Sequence, residues 1–511
     1  MPYLVAMSSS FAVLPTESAA RRHIAIDLGA SSGRVMEVRV GDSALAVREL
    51  HRFANAPVWR ADVGGRWCWD VDSLWRSILD GLRIAAREGS VDSIAVDAWA
   101  VDYALLDSAG QLVQPVAAYR DTRTQKPFAE IRSRLGDSNI YRDTGIAFQP
   151  FNTLYQLAAD ATDPARPLER ARYMLMIPDL IAYWLCGAVV SERTNASTTQ
   201  MLDAHTRQWS RSLCDAIGIP SRILPELVDA GRPLALGTLR AEVARDTGLP
   251  SSTQVFATAT HDTASAVVAA PIDPAHDLYV SSGTWSLVGA ELPHAMLTDA
   301  AREANMTNEL GAFGTVRFLR NVAGMWLVQQ CESAFASEGR ARSWSELSAL
   351  AAAAPALASV IDPNDRALFE LGDMPTRIRA LCAARGERVP QTDGEIIRCA
   401  LESVALATAR AAQDAARIAS HDARRLIVVG GGSANAFLNQ LIADASGLPV
   451  ESGPVECTAV GNALMQHAAM EGLASAASLR SLIRTTTVLR CYEPSAAESM
   501  KMREASARVW N

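Results

Sequence analysis

The chain has 511 residues, of which 49% are hydrophobic and 20% charged, and its formal net charge is −8. This length predicts two or three domains, and the acidic balance argues against nucleic acid as the main partner. No uninterrupted apolar run is long enough to span a membrane. The eight cysteines are scattered without a CxxC motif. Neither a zinc site nor a secreted disulfide framework is therefore indicated.

The chain begins with MPYLVAMSSSFAVLPTESAA, which has neither a basic start nor a long apolar stretch. Such a segment is a poor signal peptide. We expect residues 1–21 to form a disordered extension, and we expect a cytoplasmic location.

A strand, a tight turn of small residues and a returning strand are predicted twice. The first copy is HIAIDLGASSGRVMEVRV, from His23, and the second is LYVSSGTWSLVGAEL, from Leu278. Backbone N–H groups and hydroxyls that converge at such a turn suit a phosphate group. Because each hairpin is followed by a domain's length of chain, two related lobes that close on one nucleotide are predicted.

The elements between the hairpins alternate. Apolar residues from Val71 to Leu82 recur at helical spacing, and a buried strand, a corner and a second strand follow over 91–110. Residues 120–250 mix helices with proline-containing loops and are expected to shape a cleft. The segment TQVFATAT, from Thr253, is predicted to be the strand that opens the second lobe, and HDTASAVVAA is predicted to be a helix.

Beyond the second hairpin, the alanine-rich stretch 340–390 and the segment from Gly394 to Ala419 are predicted to be helical. The strand RRLIVV then leads through three glycines into a helix, and the chain from about residue 486 is expected to be peripheral. The predicted boundaries are 22–252 for the first lobe, 253–485 for the second and 486–511 for the last segment.

Lysine is nearly absent, with only Lys126 and Lys501, and the chain contains no GxxxxGK[ST] motif. A P-loop is therefore excluded. Any phosphoryl transfer must rely on backbone amides, hydroxyls, arginine and a metal ion.

Two acidic positions are candidates for chemistry. Asp27 ends an apolar strand and begins the first turn, where it could hold a water of Mg²⁺ or could simply stabilise the turn. Asp262 follows His261 at a strand-to-helix junction. It could accept a proton from a hydroxyl or could only cap the helix. The two flanking turns favour a role in chemistry.

Two further segments are ambiguous. Gly430, Gly431 and Gly432 end a strand and would let a flat base or ribose approach the backbone, although a flexible turn explains them too. Trp99, in DAWAVDY, could line a sugar site, but a core position is the more frequent role of such a residue.

At these residues the chain resembles the FGGY carbohydrate kinases and, among them, the rhamnulokinase group. The resemblance extends from about His23 to residue 485. The matching motifs are DLGASSGRVM, DAWAVDYALLD, YRDTRT, TGIAFQPFNTLYQL, NASTTQ, HDTASAV, SSGTWSLVG, TNE, LRNVAGMWLVQ and VVGGGSANAFLNQ. The resemblance implies an α/β fold of two ribonuclease-H-like lobes, as in actin-like ATPases, with an interlobe cleft.

The resemblance also implies ATP and Mg²⁺ as cofactors, a ketose as acceptor, and transfer of the γ-phosphoryl group to L-rhamnulose. Asp262 would be the general base, and Asp27 would hold the metal through water. The sugar would contact Ala100, His261, Asp262, Thr263 and Asn321. The nucleotide would contact Ala30, Ser31, Ser32, Gly33, Arg34, Thr284, Gln329 and Gly432.

The chain departs from the family pattern at two places. Ala100 stands where the family has a glycine against the sugar, and Leu310 stands where a glycine usually follows TNE. Cys382 and Cys399 match a family pair that can form a disulfide, although reduced thiols are the default in a cytosol.

Three alternatives stay open at this point. The acceptor could be another ketose, such as L-fuculose, because one methyl group in a sugar pocket can alter preference. The protein could be an actin-like ATPase without a sugar acceptor. A catalytically silent sugar sensor is disfavoured by the presence of both Asp27 and Asp262.

Overall fold

A computed structural model describes residues 20–233, 235–369 and 372–510. The predicted extension, residues 1–21, lies outside the described residues except for its last two. The described chain forms two compact units. Unit 1 contains the chain up to Ala269, Leu292–Phe318 and Cys457–Val488, and unit 2 contains Ala270–Glu291, Leu319–Glu456 and the chain from Leu489.

The strands in chain order are β1 (Arg21–Leu28), β2 (Ser32–Val40), β3 (Leu45–Ala54), β4 (Val58–Arg60), β5 (Arg66–Trp69), β6 (Ser93–Ala98), β7 (Tyr103–Leu106), β8 (Val116–Ala117), β9 (Tyr173–Met176), β10 (Val190–Glu192), β11 (Glu226–Val228), β12 (Gly237–Thr238), β13 (Gln254–Val255), β14 (Asp277–Ser282), β15 (Trp285–Leu292), β16 (Thr307–Leu310), β17 (Val316–Ala323), β18 (Arg425–Val429), β19 (Val450–Ser452) and β20 (Arg490–Tyr492).

The α-helices are α1 (Val71–Ala86), α2 (Gln125–Leu135), α3 (Asp137–Thr144), α4 (Thr153–Ala161), α5 (Pro167–Arg170), α6 (Ile177–Cys186), α7 (Arg193–Ala196), α8 (Arg211–Ile217), α9 (Ala241–Thr247), α10 (Asp262–Ala269), α11 (Asp299–Glu303), α12 (Trp326–Ser337), α13 (Trp344–Ala353), α14 (Met374–Ala384), α15 (Asp393–Ala419), α16 (Ala436–Ser446), α17 (Cys457–Glu471), α18 (Ala477–Thr486) and α19 (Ala496–Trp510).

The main sheet of unit 1 has the order β12-β13-β6-β1-β2-β3. The hairpin β1–β2 is antiparallel, β1 and β6 are parallel, and β13 is parallel to β6. Strands β1 and β6 are buried along almost their whole length. A nearly continuous apolar sequence is typical of a strand that is covered on both faces. The predicted first hairpin is confirmed.

The main sheet of unit 2 contains β17, β15, β14, β18, β19 and β20, adjacent in that order. Here β14 and β15 form the antiparallel hairpin, β14 and β18 are parallel, and β18 and β19 are parallel. Edge strand β20 is antiparallel to β19, just as β12 is antiparallel to β13. The two sheets therefore share one topology, as the repeated hairpin predicts.

Local signals explain where two of the long helices begin. The side chain of Asp70 accepts a hydrogen bond from the Ser73 amide at the start of α1. Thr392 and Glu395 form a capping box at the start of α15, whose 27 residues confirm the predicted long helix. The stretch 340–390 is only partly helical, because α13 ends at Ala353 and α14 begins at Met374.

Three segments lie in unit 1 although the sequence assigns them to the second lobe: residues 253–269, 292–318 and 457–485. Strand β13, which includes part of TQVFATAT, pairs with β6. Helix α17 packs against β1 and α10. The contacts that place these elements join residues more than 150 positions apart, so no local pattern in the sequence reports them. The boundary at 252/253 thus stays a prediction beside the observed division after Ala269.

The end of the chain adds to unit 2: β20 pairs with β19, and α19 packs against α16. In the same unit, the sulfur atoms of Cys382 and Cys399 lie 4.0 Å apart as free thiols. In the part of the chain that the structure describes, no helix has both the length and the apolarity needed to cross a membrane.

Candidate active site

The first predicted phosphate turn joins β1 and β2 in unit 1. The Gly29 amide donates a 2.9 Å hydrogen bond to the Ser32 carbonyl, which closes the turn. Asn55 then fastens it, because its Nδ2 donates to the Gly29 carbonyl at 2.8 Å and its backbone amide donates to the Ser31 carbonyl at 3.2 Å. The sequence analysis missed Asn55, which lies just beyond β3.

The other residues of this turn are set by packing and charge. A Cβ atom on Gly33 would lie 2.2 Å from the Phe53 ring, so any other residue here would displace that ring. Arg34 forms an ion pair with Asp27, its partner across the β1–β2 ladder. Ala30 packs at the edge of the hydrophobic core of unit 1.

A second carboxylate accompanies Asp27. Asp97 on β6 lies in register with Asp27 on the neighbouring parallel strand, and its side chain is fully buried. Asp97 Oδ2 accepts a 2.6 Å hydrogen bond from Asn462 Nδ2, whereas Oδ1 has no hydrogen-bond partner. Burial and the nearby Asp27 carboxylate raise the pKa of Asp97 well above its ordinary value. The sequence analysis did not assign Asp97 to the site.

Helix α17 supports this carboxylate from behind. Gln466 Nε2 donates to Asn462 Oδ1 at 2.7 Å and to the Ile24 carbonyl at 3.0 Å, which ties Asn462 to β1. The helix can approach closely because a Cβ atom on Gly461 would lie 1.8 Å from the Ser265 carbonyl oxygen of α10. Glycine at 461 is therefore a condition of the Asp97–Asn462 contact.

Helix α10 begins at the same sheet edge. The Ala98 amide donates to the Thr260 carbonyl at 2.9 Å, and Ala98 and His261 form a parallel bridge. The Trp99 amide donates to the Leu28 carbonyl at 3.0 Å. The carboxyl ends of β1 and β6 and the start of α10 thus meet, and side chains at this edge are frequently functional in α/β proteins.

Asp262 is the first residue of α10, and its side chain is 32% exposed. Its Oδ1 accepts hydrogen bonds from the Thr263 amide at 2.5 Å and the Thr263 hydroxyl at 3.1 Å, and it lies 3.3 Å from His261 Nε2. Desolvation raises the pKa of Asp262, His261 opposes that shift, and the Asp27 carboxylate adds to it. A carboxylate with a raised pKa that keeps access to solvent suits proton transfer.

His261 is held from its other side by an ion pair. Arg317 Nη2 lies 2.9 Å from His261 Nδ1 and 3.0 Å from Glu309 Oε2. Burial raises the pKa of Glu309, but the Arg317 guanidinium and His261, whose Nδ1 lies 3.3 Å from Glu309 Oε2, together hold it below the ordinary value. Glu309 belongs to the TNE motif, but nothing in the sequence pointed to Arg317.

The segment after β6 forms a rigid corner that contains Ala100. Val101 has a φ of 68°, which is unusual for a β-branched residue. Buried Asp102 accepts hydrogen bonds from Trp69 Nε1 at 2.6 Å and Trp99 Nε1 at 2.9 Å, and burial raises its pKa to about 6. Trp99 is only 4% exposed, so the core interpretation of this residue is confirmed.

The second predicted phosphate turn joins β14 and β15 in unit 2. The Gly283 amide donates to the Trp285 carbonyl at 2.8 Å. The start of α12 satisfies the turn's carbonyl groups, because the Met325 amide donates to the Gly283 oxygen at 3.0 Å and the Trp326 amide to the Thr284 oxygen at 3.1 Å. The Thr284 hydroxyl lies 3.5 Å from Gln329 Oε1.

The glycines after β18 pack against this turn. A Cβ atom on Gly432 would lie 2.0 Å from the Ser282 hydroxyl oxygen, and one on Gly430 would lie 3.0 Å from the Ser282 carbonyl oxygen. Nothing lies within 4 Å of a Cβ atom on Gly431. In the same unit, Asn321 on β17 has a buried Oδ1 without a hydrogen-bond partner.

The structure thus distributes the expected site residues between the two units. Unit 1 holds Asp27, Ala30, Ser31, Ser32, Gly33, Arg34, Ala100, His261, Asp262 and Thr263. Unit 2 holds Thr284, Asn321, Gln329 and Gly432. Lys126 lies away from these motifs on α2, with an 83% exposed side chain that pairs with Glu130.

Two family models match nearly all of the chain between them. The N-terminal domain of the FGGY family of carbohydrate kinases matches residues 23–269, and the C-terminal domain matches residues 278–470. The chain belongs to the FGGY family of carbohydrate kinases. The resemblance drawn from the motifs is therefore confirmed, and the protein is a carbohydrate kinase.

Several curated relatives share almost the full length of this carbohydrate kinase. A rhamnulokinase from Pectobacterium carotovorum is 42% identical over 94% of both chains. A rhamnulokinase from Enterococcus faecalis is 38% identical over 94% of this chain and 95% of that protein, and one from Bacillus subtilis is 37% identical over 92% and 95%.

Solved structures of other sugar kinases share the fold. The xylulose kinase of Lactobacillus acidophilus matches with a TM-score of 0.78 at 15% identity, over 95% of this chain and 96% of that one. The glycerol kinase of Plasmodium falciparum, solved with ADP, matches with a TM-score of 0.75 at 14% identity, over 97% and 98%. The expected two-lobed, actin-like α/β fold is confirmed.

Proposed function

We propose that this carbohydrate kinase transfers the γ-phosphoryl group of ATP to L-rhamnulose, giving L-rhamnulose 1-phosphate in L-rhamnose catabolism in the cytoplasm. The observation that carries the chemistry is the position of Asp262. A partly exposed carboxylate with a raised pKa begins a helix at the sheet edge where Asp27 and Asp97 end their strands. The full-length similarity to several rhamnulokinases supports the acceptor.

In this proposal Asp262 is the general base. Its carboxylate accepts the proton of the sugar's 1-hydroxyl as the hydroxyl oxygen attacks the γ-phosphorus of ATP, and ADP leaves. The Thr263 amide and hydroxyl hold Asp262 Oδ1. His261, Thr263, Ala100 and Asn321 contact the sugar, and exclusion of water by the bound substrates favours transfer over hydrolysis.

The nucleotide is held without lysine. The turn from Ala30 to Arg34 and the turn at Thr284 offer backbone amides and hydroxyls to the phosphates, while Gln329 and Gly432 contact the rest of ATP. Thr284 and Gln329 lie 3.5 Å apart, so one ligand can reach both side chains. Amide and hydroxyl donors of this kind are preorganised for phosphate oxygens.

The donor set of unit 1 fits a divalent cation. Asp97 Oδ1 is buried without a partner beside Asp27, and the Arg34 guanidinium is the cation paired with Asp27. An ion here would keep most of its waters, because Mg²⁺ takes few protein ligands. Asp27, through water, and Asp97 would hold Mg²⁺. When bound, it neutralises charge on the transferring phosphoryl group.

A kinase assay with a panel of sugars tests this proposal. We expect ADP release only when a ketose is present, with the highest kcat/KM for L-rhamnulose. A higher kcat/KM for L-fuculose would show that the enzyme is a kinase of another ketose within the same family. ADP release at the same rate without any sugar would favour an ATPase and overturn the proposal.

A further inference from the structure

Arg317 is the largest fully buried side chain of unit 1, and it lies against the helix start that bears His261 and Asp262. Its Nε donates to the Leu310 carbonyl at 3.2 Å, and its Nη2 contacts both Glu309 and His261. Nη1 is buried without a hydrogen-bond partner. All of these groups except Leu310 carry charge or a titratable proton.

A buried ion pair of this kind is not an obvious source of stability. Taking both charges of Arg317 and Glu309 out of water costs free energy that their attraction offsets only in part, and apolar side chains often serve stability as well. The neighbouring residues Leu310 and Val316 are apolar and buried. The pair therefore calls for a role other than filling this part of the core.

The geometry restricts the protonation of His261. Arginine keeps its protons in proteins, so Arg317 Nη2 can only donate. His261 Nδ1 lies 2.9 Å from Nη2 and 3.3 Å from Glu309 Oε2. Because Glu309 is already the ion-pair partner of Arg317, and Nη2 is the nearer group and can only donate, we take Nδ1 as the acceptor, without a proton. The ring's proton then lies on Nε2, which faces Asp262 Oδ1 at 3.3 Å.

This arrangement divides the two oxygens of Asp262. The contacts of Asp262 with His261 and with Thr263 are all made by Oδ1. Oδ2 is thereby left to face the acceptor hydroxyl. A fixed Nε2–H donor beside the base keeps Oδ1 in place.

We propose that Arg317 and Glu309 are positioning residues that fix His261 in the tautomer protonated at Nε2 and orient it beside Asp262 for the acceptor sugar. Glu309 holds the guanidinium, the guanidinium holds Nδ1, and Nε2–H is directed to the site. This inference rests on the proposed function for the identity of the acceptor, but not for the tautomer.

The tautomer is tested by ¹⁵N NMR of the full-length protein labelled at its eight histidines. The signal of His261 is identified by its absence in His261→Gln. We expect an unprotonated Nδ1 and a protonated Nε2 in the wild type, and loss of this fixed state in the double variant Glu309→Gln/Arg317→Gln. A protonated Nδ1 in the wild type would overturn the proposal whatever the enzyme phosphorylates.

Kinetics test whether the tautomer matters for the sugar. The double variant leaves no unpaired buried charge, so it is preferred to either single variant. We expect kcat/KM for L-rhamnulose to fall about 10–100-fold, with the KM for ATP changed by less than about twofold, because a misplaced group impairs only the reaction of its own substrate.

The matched control is the buried pair Arg22–Glu37 of the same unit, whose side chains are 8% and 4% exposed and 2.5 Å apart. Arg22→Gln/Glu37→Gln should lower Tm without changing kcat/KM per folded molecule. If the Glu309/Arg317 variant likewise loses only folded protein, the pair is structural and the positioning role is wrong. Since the NMR result needs no sugar, failure of the assay on L-rhamnulose alone would count against the proposed function only.

Discussion

The two hairpins share a backbone plan but differ in charge. In unit 1, Asp27 faces Arg34 across the ladder and Asp97 on the adjacent parallel strand. At the corresponding positions of unit 2, Ser281 faces Leu287 and Val429. The turn of unit 2 is also one residue shorter between its last ladder pairs. The duplicated topology thus carries ionisable groups in one copy and neutral groups in the other.

This difference indicates a division of labour. The turn of unit 1 lies near Asp97 and Asp262, whose pKa values are raised by burial and by the Asp27 carboxylate, which suits proton transfer. The turn of unit 2 is braced by α12 and by the glycines after β18, and it offers only amides and hydroxyls. The first copy is therefore expected to govern chemistry and the second to govern nucleotide affinity.

The largest effect is expected from Asp262→Asn. Losing the general base should reduce kcat about 10²–10⁴-fold while calorimetry finds unchanged affinities for ATP and sugar. Asp299→Asn is the control, because Asp299 also begins a helix of unit 1 but is 77% exposed. Near-wild-type turnover by Asp262→Asn would show that Asp262 is not the general base.

The raised pKa of Asp262 gives a second prediction. The base must be ionised, so kcat should fall about tenfold per pH unit below its pKa, and this acidic limb should lie above the ordinary aspartate value of about 3.9. The folded protein favours the protonated form of Asp262. The contribution of this neutral carboxyl to the free energy of unfolding is therefore lost as the pH rises through the pKa of Asp262 in the folded state. Asp262→Asn should then match or exceed the wild-type Tm at pH 8. If the acidic limb of the kcat profile lies at the ordinary aspartate pKa, the raised pKa of Asp262 is contradicted.

Substitution at the corresponding positions of the two hairpins sharpens the comparison. Asp27→Asn should lower activity by about 10²-fold at low Mg²⁺ and recover in part as Mg²⁺ increases, because the variant loses a charge that holds the ion's water. Ser281→Ala should change activity by no more than about tenfold, since a neutral hydroxyl contributes roughly 0.5–1.5 kcal/mol. Titrations of activity with Mg²⁺ measure both variants. If Asp27→Asn and Ser281→Ala lose activity equally, the proposed difference in role between the two turns is wrong.

The sequence predicted both hairpins, the helix that begins at Asp262 and the long helix α15, because each has a strong local pattern. It did not identify Asp97 as a site residue, since that role depends on the register of β1 with a strand about 70 residues later. It also missed Arg317 and Asn462, whose contacts reach His261 and Asp97 from distant segments. Periodicity reports which element a residue occupies, but it does not report which remote side chain lies beside it.

The glycines after β18 test how the second turn is held. Gly432→Ala places a methyl group against Ser282 and should cost about 1–3 kcal/mol of stability and weaken ATP binding. Gly431→Ala has open space around its Cβ position and should leave the free energy of unfolding unchanged. Denaturant melts measure the difference, and equal stability of the two variants would show that Gly432 does not brace the turn.

The smallest effect is expected at Ala100, which departs from the family pattern. Ala100→Gly should raise kcat/KM for L-rhamnulose by no more than about tenfold, given the worth of one methyl group. Because glycine costs roughly 0.5–1 kcal/mol of stability, folded protein is quantified first. Wild type and variant are compared on L-rhamnulose and L-fuculose. An equal response to both sugars, or none, would show that residue 100 does not set acceptor choice.

The most direct measurement is ³¹P NMR of the products formed from ATP, Mg²⁺ and L-rhamnulose by the wild type and by Asp262→Asn. The account predicts that the wild type converts the γ-phosphoryl group into a monoester on the C1 hydroxyl, with ADP in equal amount. Asp262→Asn should form the same ester about 10²–10⁴-fold more slowly. Inorganic phosphate in place of the ester, or an ester formed equally fast by both proteins, would contradict the account.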